Sequence, residues 1–312
     1  MPSINLTKLK TYPLASRRSK VRHDEFARAC VKGESFAKFY ESLPDILAVK
    51  NLRVLVDAIV AARKKRKPVL WMMGAHVIKV GLNPLLIQLL RQRIVTAIAL
   101  NGAGIIHDFE LAFMGQTSED VAAALADGSF GMARETSQLL NGAIKEGAKK
   151  KKGLGECIGE MIIKKRLPYR NLSVLATCFE LGVPATVHVA IGTDIIHQQA
   201  VADGAAIGQT SLQDFHKLVK VVSGLGQGGV VGNIGSNVIL PEVFLKAVSV
   251  SRNLGYKVQD FTAFDFDMMR HYRPSENVLK RPTMLGGTPI SITGHHEIMI
   301  PLLAQAIIEK IS

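Results

Sequence analysis

"PVLWMMGAHVIKVGLNPLLIQLLRQRIVTAIALNGAG", residues 68–104, decides the fold. It holds two apolar runs, VLWMM and TAIAL, each opening at once into glycine and other small residues. Between them, NPLLIQLLRQR repeats its apolar side chains at three-and-four spacing, the period of a helix packed on one face. An uninterrupted apolar strand is one covered on both faces, and such strands belong to parallel sheets whose crossovers are helices. The stretch therefore predicts strand, turn, helix, strand, turn.

The same grammar continues downstream. VPATVHVAIG reads as a strand with TDIIHQQA as its exit, LQDFHKLVKVVSGL as a helix, and GGVVGNIGSNVIL as a strand and loop. PEVFLKAVSVSRNLG is a helix ending at Gly255, YKVQDFTAFDF a strand, and TPISITGHHEIMIPLLAQAIIEKI a short strand, a turn and a closing helix. Residues 115–175 read as a polar helical insertion with a glycine-lysine turn, EGAKKKKGLGECIGE. Upstream, the segment from Glu25 to Lys67 reads as helices, so residues 1–60 are expected to form an N-terminal helical arm and 61–312 a single domain.

Bulk properties narrow the function. The 312 residues are 47% hydrophobic with a mean hydropathy of +0.18, which predicts apolar surface covered by another subunit. The longest uncharged stretch, Val221 to Pro241, is broken by glycines, asparagines and a glutamine and is no membrane span. The N-terminus lacks the apolar core of a secretory signal, and Cys30, Cys157 and Cys178 are far apart with no CxxC, which together predict a cytoplasmic protein. The net charge of +13 sits in runs such as RKKRK (63–67) and KKKK (149–152), but aromatics are 6% of the chain and do not interleave with those runs, which argues against nucleic-acid binding.

In a sheet of this kind ligands bind at the carboxyl ends of the strands. The candidate loops are GAH (74–76), NGAG (101–104), GTDIIH (192–197), GSN (235–237), DFD (265–267) and GHH (294–296). Asn101, Gly102, Ala103 and Gly104 let a phosphate or ribose approach a helix N-terminus, and they serve equally for tight strand-helix packing. Asp194 and His197 stand three apart, close enough to share a ligand, although Asp194 also reads as a helix cap, as do Ser236 and Asn237. Asp265 and Asp267 share one face of their strand, and an aspartate at a strand end is a natural partner for ribose hydroxyls. His295, His296 and Glu297 are neighbours whose side chains diverge, so no metal is expected.

Taken in order, NGAGIIHDF, VPATVHVAIGTD, the Gly/Ser loop before LPEVFLKA, TAFDFD followed by RPSE, and GGTPISITGHHEIMIPLLAQAI resemble the deoxyhypusine synthase family over residues 65–310. The resemblance implies a Rossmann-like, doubly wound, mostly parallel sheet flanked by helices, NAD as cofactor, and a homotetramer with sites at subunit interfaces. It also implies an NAD-dependent transferase that oxidises spermidine and passes an aminobutyl group to a protein lysine. On that basis Asn101 to Gly104, Asp194, Ser236, Asn237, Thr262, Ala263 and Asp267 bind the cofactor, while Glu276, with His107 and Arg270, binds a small-molecule amine.

The sequence departs from the pattern where the chemistry is done. Pro282 stands at the position of the family's nucleophilic lysine and cannot form an imine. Lys280 is the local substitute, and His197 or His295 is the expected proton acceptor. Acidic positions of the family have become His107, His197 and His295, which points away from spermidine. The alternatives are a non-catalytic NAD- or nucleotide-binding protein and, from the basic runs, a nucleic-acid-binding protein.

Overall fold

The computed structural model describes residues 4–311. These fall into two compact units, one ending at Lys50 and one from Asn51 onward, where the sequence reading set a boundary at residue 60. In the first unit α1 spans Phe36–Ser42, capped by the Ser35 side chain, which accepts from Lys38 N. Ahead of α1 the arm holds single 3-10 turns at Leu6–Lys8, Leu14–Ser16 and His23–Glu25, and Gly33 turns the chain with φ +83° just before the cap. The next helix, α2 (Leu47–Lys64), carries the chain across the division between the units.

In the second unit, β1 (Val69–Met73) is followed by the one-turn α3 (His76–Lys79) and by α4 (Asn83–Arg91). Strand β2 (Ala97–Asn101) runs directly into α5 (Gly102–Met114). The polar insertion holds α6 (Val121–Asp127), α7 (Arg134–Lys149) and α8 (Leu154–Lys164), and α9 (Val174–Leu181) leads to β3 (Ala185–His188). Then come α10 (Gly204–Val222), β4 (Val230–Ile234), α11 (Ile239–Asn253) and β5 (Thr262–Asp267). A π-helix over Pro274–Lys280 and the short α12 (Arg281–Thr283) precede β6 (Thr288–Thr293) and α13 (His296–Lys310).

All strand pairings are parallel and the order is β3-β2-β1-β4-β5-β6. The fold is therefore an α/β, Rossmann-like, doubly wound sheet. Every residue of β1 and β4, its central pair, is buried, as the apolar runs predicted. On one face Leu218 and Val222 of α10 and Phe244 and Val248 of α11 pack on Leu70, Met72 and Val231. Each such fully buried side chain contributes roughly 1.5–3 kcal/mol. Helix α13 packs on β5 and α4, and Trp71 meets Phe264 edge-on with ring centroids 6.3 Å apart. Right-handed crossovers send successive strands outward from the β1–β4 pair in opposite directions, which makes the carboxyl ends of β1 and β4 the switch point, where sheets of this kind place their ligand crevice. Among the described residues no helix is long and apolar enough to cross a membrane.

Candidate functional site

The crevice begins with two glycines. Gly74 ends β1 against Gly235, which ends β4, so closely that a Cβ on Gly74 would overlap the Gly235 carbonyl oxygen. Gly235 has φ +66°, a left-handed conformation that glycine adopts without strain, and its open side is filled by the His296 ring. That ring lies 5.6 Å from the His76 ring, centroid to centroid. His296 Nε2 is 3.1 Å from the Phe266 carbonyl oxygen. A carbonyl only accepts, so Nε2 carries the proton and Nδ1 presents a lone pair, buried and without a partner in the protein. Burial lowers the His296 pKa, which favours this neutral form.

Strand β5 supplies two carboxylates, Asp265 and Asp267, and β4 an amide, Asn233. Asn233 and Asp265 are register partners, and Asn233 Nδ2 donates to Asp265 Oδ1 at 2.8 Å and to the Ser236 carbonyl at 3.0 Å. Asn233 Oδ1 is buried without a donor. Asp267 Oδ1 accepts from Met268 N at 2.7 Å, and its Oδ2 is buried without a partner. Burial raises the Asp265 pKa to about 6; the Asn233 hydrogen bond opposes this, the Asp267 charge adds to it, and His271 and Arg270 draw it back down. Ser236 Oγ accepts from Leu240 N at 3.3 Å at the start of α11, whereas Asn237 is exposed.

The exits of β2 and β3 form a second cluster. Asn101 Oδ1 accepts from Gly104 N at 3.2 Å, so the NGAG loop caps its own helix. The Asp194 carboxylate lies against the Cα of Gly102 at the start of α5, is almost fully buried, and keeps Oδ2 without a donor. Burial raises its pKa. His197 Nδ1 accepts from Gly192 N at 3.1 Å and Asp194 N at 3.4 Å, which leaves the neutral ring with a buried, unshared Nε2–H. In this arrangement His197 is a donor, because the nitrogen that could take up a proton is already occupied by two backbone amides.

His107 shows the opposite polarity. Thr117 Oγ1 has one proton, which goes to Glu110 Oε2 at 2.6 Å, so the 2.7 Å contact between His107 Nδ1 and Thr117 Oγ1 is donated by the histidine. Its Nε2 therefore presents a lone pair. Burial, with the Lys79 charge, lowers the His107 pKa to about 4. The ring is thus a neutral hydrogen-bond acceptor at physiological pH.

The basic segment after β5 is paired within itself and with α11. Glu276 is 3.3 Å from Lys280 Nζ and 3.6 Å from Arg281 Nε, and Arg273 is 3.3 Å from Glu242. The Lys280 side chain is 71% exposed, while Pro282 is buried in α12 with its carbonyl accepting from Arg252 at 2.7 Å. Arg270 is exposed and acts on Asp265 through its charge. His295 is exposed, with Nδ1 3.7 Å from Glu297 Oε1, while its neighbour His296 turns inward. Thr262 and Ala263 start β5, at the opposite edge of the sheet from Asp267 and about 16 and 13 Å from it at strand rise. Ala263 is fully buried in the core, which separates both residues from the crevice.

The sequence reading passed over Asn233, and it weighed His296 only beside His295 and Glu297 as a metal ligand, giving the proton-acceptor role to His295. The signal for Asn233 was present: an asparagine inside the apolar run VVGNI is a buried polar group that needs partners. That His296, rather than His295, turns inward depends on where α13 begins. Among the described residues no group of three His, Cys, Asp or Glu side chains converges to hold a metal ion.

No family model matches the chain, and no curated protein matches it in sequence. Solved structures do share its fold. AgrE, in its ternary complex with ornithine and NAD+, superposes with a TM-score of 0.53 at 12% identity over 85% of this chain and 34% of that one. This chain therefore spans about a third of AgrE's length. A conserved candidate LOR/SDH protein from Methanococcus maripaludis S2 gives 0.53 at 15% identity, covering 85% and 71% of the two chains. A candidate deoxyhypusine synthase from Entamoeba histolytica gives 0.52 at 12% identity, covering 88% and 93%. At these identities the likeness is one of fold, and that fold is the doubly wound sheet shared with deoxyhypusine synthase-like and LOR/SDH-like proteins.

Proposed function

We propose that the carboxyl-edge crevice binds NAD and that the protein is an NAD-dependent enzyme acting on a small-molecule amine. The observation that carries this reading is the buried, unshared Oδ2 of Asp267 at the end of β5, beside the switch point of the sheet. A buried carboxylate oxygen with no donor costs stability unless a ligand supplies one, and ribose hydroxyls are donors of the right kind. The N-termini of α11 and α13, whose dipoles favour anions, suit the pyrophosphate, with Ser236 and Asn237 beside it. At α5 the corresponding space is taken by Asp194, so this end of the crevice suits a cation better than a phosphate.

NAD, when bound, supplies a two-electron acceptor. The residues of the chain account for the remainder. Asp194 pairs with the substrate ammonium, His107 Nε2 accepts an N–H from it, and His197 Nε2–H holds an acceptor group nearby. Lys280, exposed and paired with Glu276, is poorly placed to carry an aminobutyl group, which favours oxidation of the amine without a covalent carrier over transfer to a protein lysine. Val238, Met268 and Met269 in the exit loops and Ile298 in the first turn of α13 are exposed apolar side chains, which supports the expectation that a second copy, in a homotetramer, closes the site.

The test is native mass spectrometry of the purified protein together with calorimetric titration of NAD. A saturable NAD site, and an amine that generates NADH absorbance, are the expected outcomes. Absence of NAD binding overturns the proposal. Binding with no turnover across a panel of mono-, di- and polyamines reduces it to the non-catalytic alternative.

A further inference from the structure

The amino edge of the sheet carries a second concave site of opposite character. Arg63 in the last turn of α2, Arg66 and Lys67 in the link to β1, and Arg93 in the link from α4 to β2 surround a cavity of about 400 Å3 completed by Pro68 and Thr96. Ligand sites typically measure about 300–1,000 Å3. Four of the six lining residues are cations and none is an acid. Among the described residues, none of the four side chains forms an ion pair with a carboxylate.

Helix ends account for part of this charge. Arg63 Nε donates to the Gln92 carbonyl at the end of α4 at 3.4 Å, and Arg93 Nη2 to the Leu181 carbonyl at the end of α9 at 3.0 Å. With α2 itself, three helix C-termini converge here. Each contributes roughly half a negative charge, about one and a half in all, against four formal positive charges. The two tethered guanidiniums each keep most of their five donors, and Arg66 and Lys67 are tied by their backbone amides alone. A concave surface with a positive surplus and forked donors held by backbone carbonyls suits tetrahedral oxyanions that accept at several oxygens.

We infer that this cavity binds phosphoryl anions, at the sheet edge opposite the proposed cofactor crevice and independently of it. Free polyphosphate and a nucleic-acid backbone present the same chemistry, and the net charge of +13 draws both toward the protein.

The experiment is calorimetric titration of the full chain with tripolyphosphate at low salt, comparing wild type with Arg66→Glu, Lys67→Glu and a control reversal, Lys145→Glu on α7. Because the side chains of Arg66 and Lys67 hold no helix end, these variants are expected to fold, as checked by circular dichroism. Saturable binding that weakens about tenfold or more in Arg66→Glu and Lys67→Glu, and stays within about twofold in Lys145→Glu, is the expected result. No saturable binding, an equal loss in the control, or equally tight binding of a polyglutamate peptide of matched charge overturns the inference. A labelled single-stranded RNA oligonucleotide then identifies the source. Binding that tripolyphosphate displaces, and that Arg66→Glu weakens, assigns a nucleic-acid backbone; tripolyphosphate binding without RNA binding assigns free phosphates.

Discussion

Two adjoining regions, the end of β5 and the basic segment 270–282 that follows it, differ in the one property that matters for a site. At the strand end Asp267 Oδ2, Asn233 Oδ1 and His296 Nδ1 are buried and lack partners, and Asp265 stays protonated to about pH 6. In the segment Glu276 is held by Lys280 and Arg281, while Arg273 is held by Glu242. Charge density marks the second region and missing partners mark the first. A paired surface ion contributes at most about 1 kcal/mol and asks for nothing more, whereas a buried acceptor without a donor costs about 1–3 kcal/mol until one arrives. The comparison favours the strand end as the seat of the proposed ligand.

The most severe way to break that assignment is Gly74→Ala. The new methyl meets a backbone carbonyl of the neighbouring strand exit, which cannot swing aside as a side-chain tip would, so β1 and β4 must part. A loss of about 3 kcal/mol in urea unfolding is expected, together with loss of NAD binding. Wild-type stability in this variant would mean that the two exits are not clamped together. A smaller effect, confined to binding, is expected of Asp267→Asn. It keeps one acceptor for Met268 N and replaces the free carboxylate oxygen by a group that cannot hold a ribose diol as an anion does. NAD affinity should fall by about 2 kcal/mol, roughly thirtyfold in Kd by calorimetry, with the unfolding midpoint nearly unchanged. An unaltered Kd would move the cofactor away from β5.

Asp265 is read through pH. Its folded pKa of about 6 lies above the ordinary 3.8, so its stabilising protonation is complete below the unfolded value and is lost as pH rises through 6. Between pH 5 and 8 this carboxyl should withdraw about 1–2 kcal/mol of stability. Asp265→Asn keeps an acceptor for Asn233 and should flatten the urea-unfolding profile by that amount. Asp108 and Asp214, also buried with raised pKa values, leave a residual slope in both proteins. Parallel wild-type and variant profiles would show that Asp265 is ionised in the fold.

The sheet could be read from the chain because each of its determinants is local. VLWMM and AIALN are apolar on both faces and end at glycine, and the helices between them keep a single apolar stripe. The aspartates of FDFD share a face for an equally local reason, the two-residue period of a strand. What lay beyond the sequence is set by register and by contacts distant in the chain. Glu242 pairs locally with Lys246 but also with the distant Arg273, and the space beside Gly102 is filled by Asp194. Thr262 and Asp267 look adjacent in a motif, yet the length of β5 puts them at opposite edges of the sheet. A run of cations likewise reads the same whether its charges are free or paired, and here most of segment 270–282 is paired.

Lys280→Met is the mildest substitution and the one that sharpens the comparison most. The side chain is 71% exposed and its 3.3 Å contact with Glu276 is one turn of a surface pair, for which about 0.5 kcal/mol or less is expected on removal. If the strand end binds the ligand and the segment is self-contained, NAD affinity and amine-dependent NADH formation should change by less than about twofold. An enzyme that binds NAD normally but has lost turnover in this variant would restore Lys280 as a carrier of substrate-derived carbon. The two outcomes separate because Met fills the same stem volume and lacks only the amine, so a loss of turnover reports on that nitrogen and not on packing.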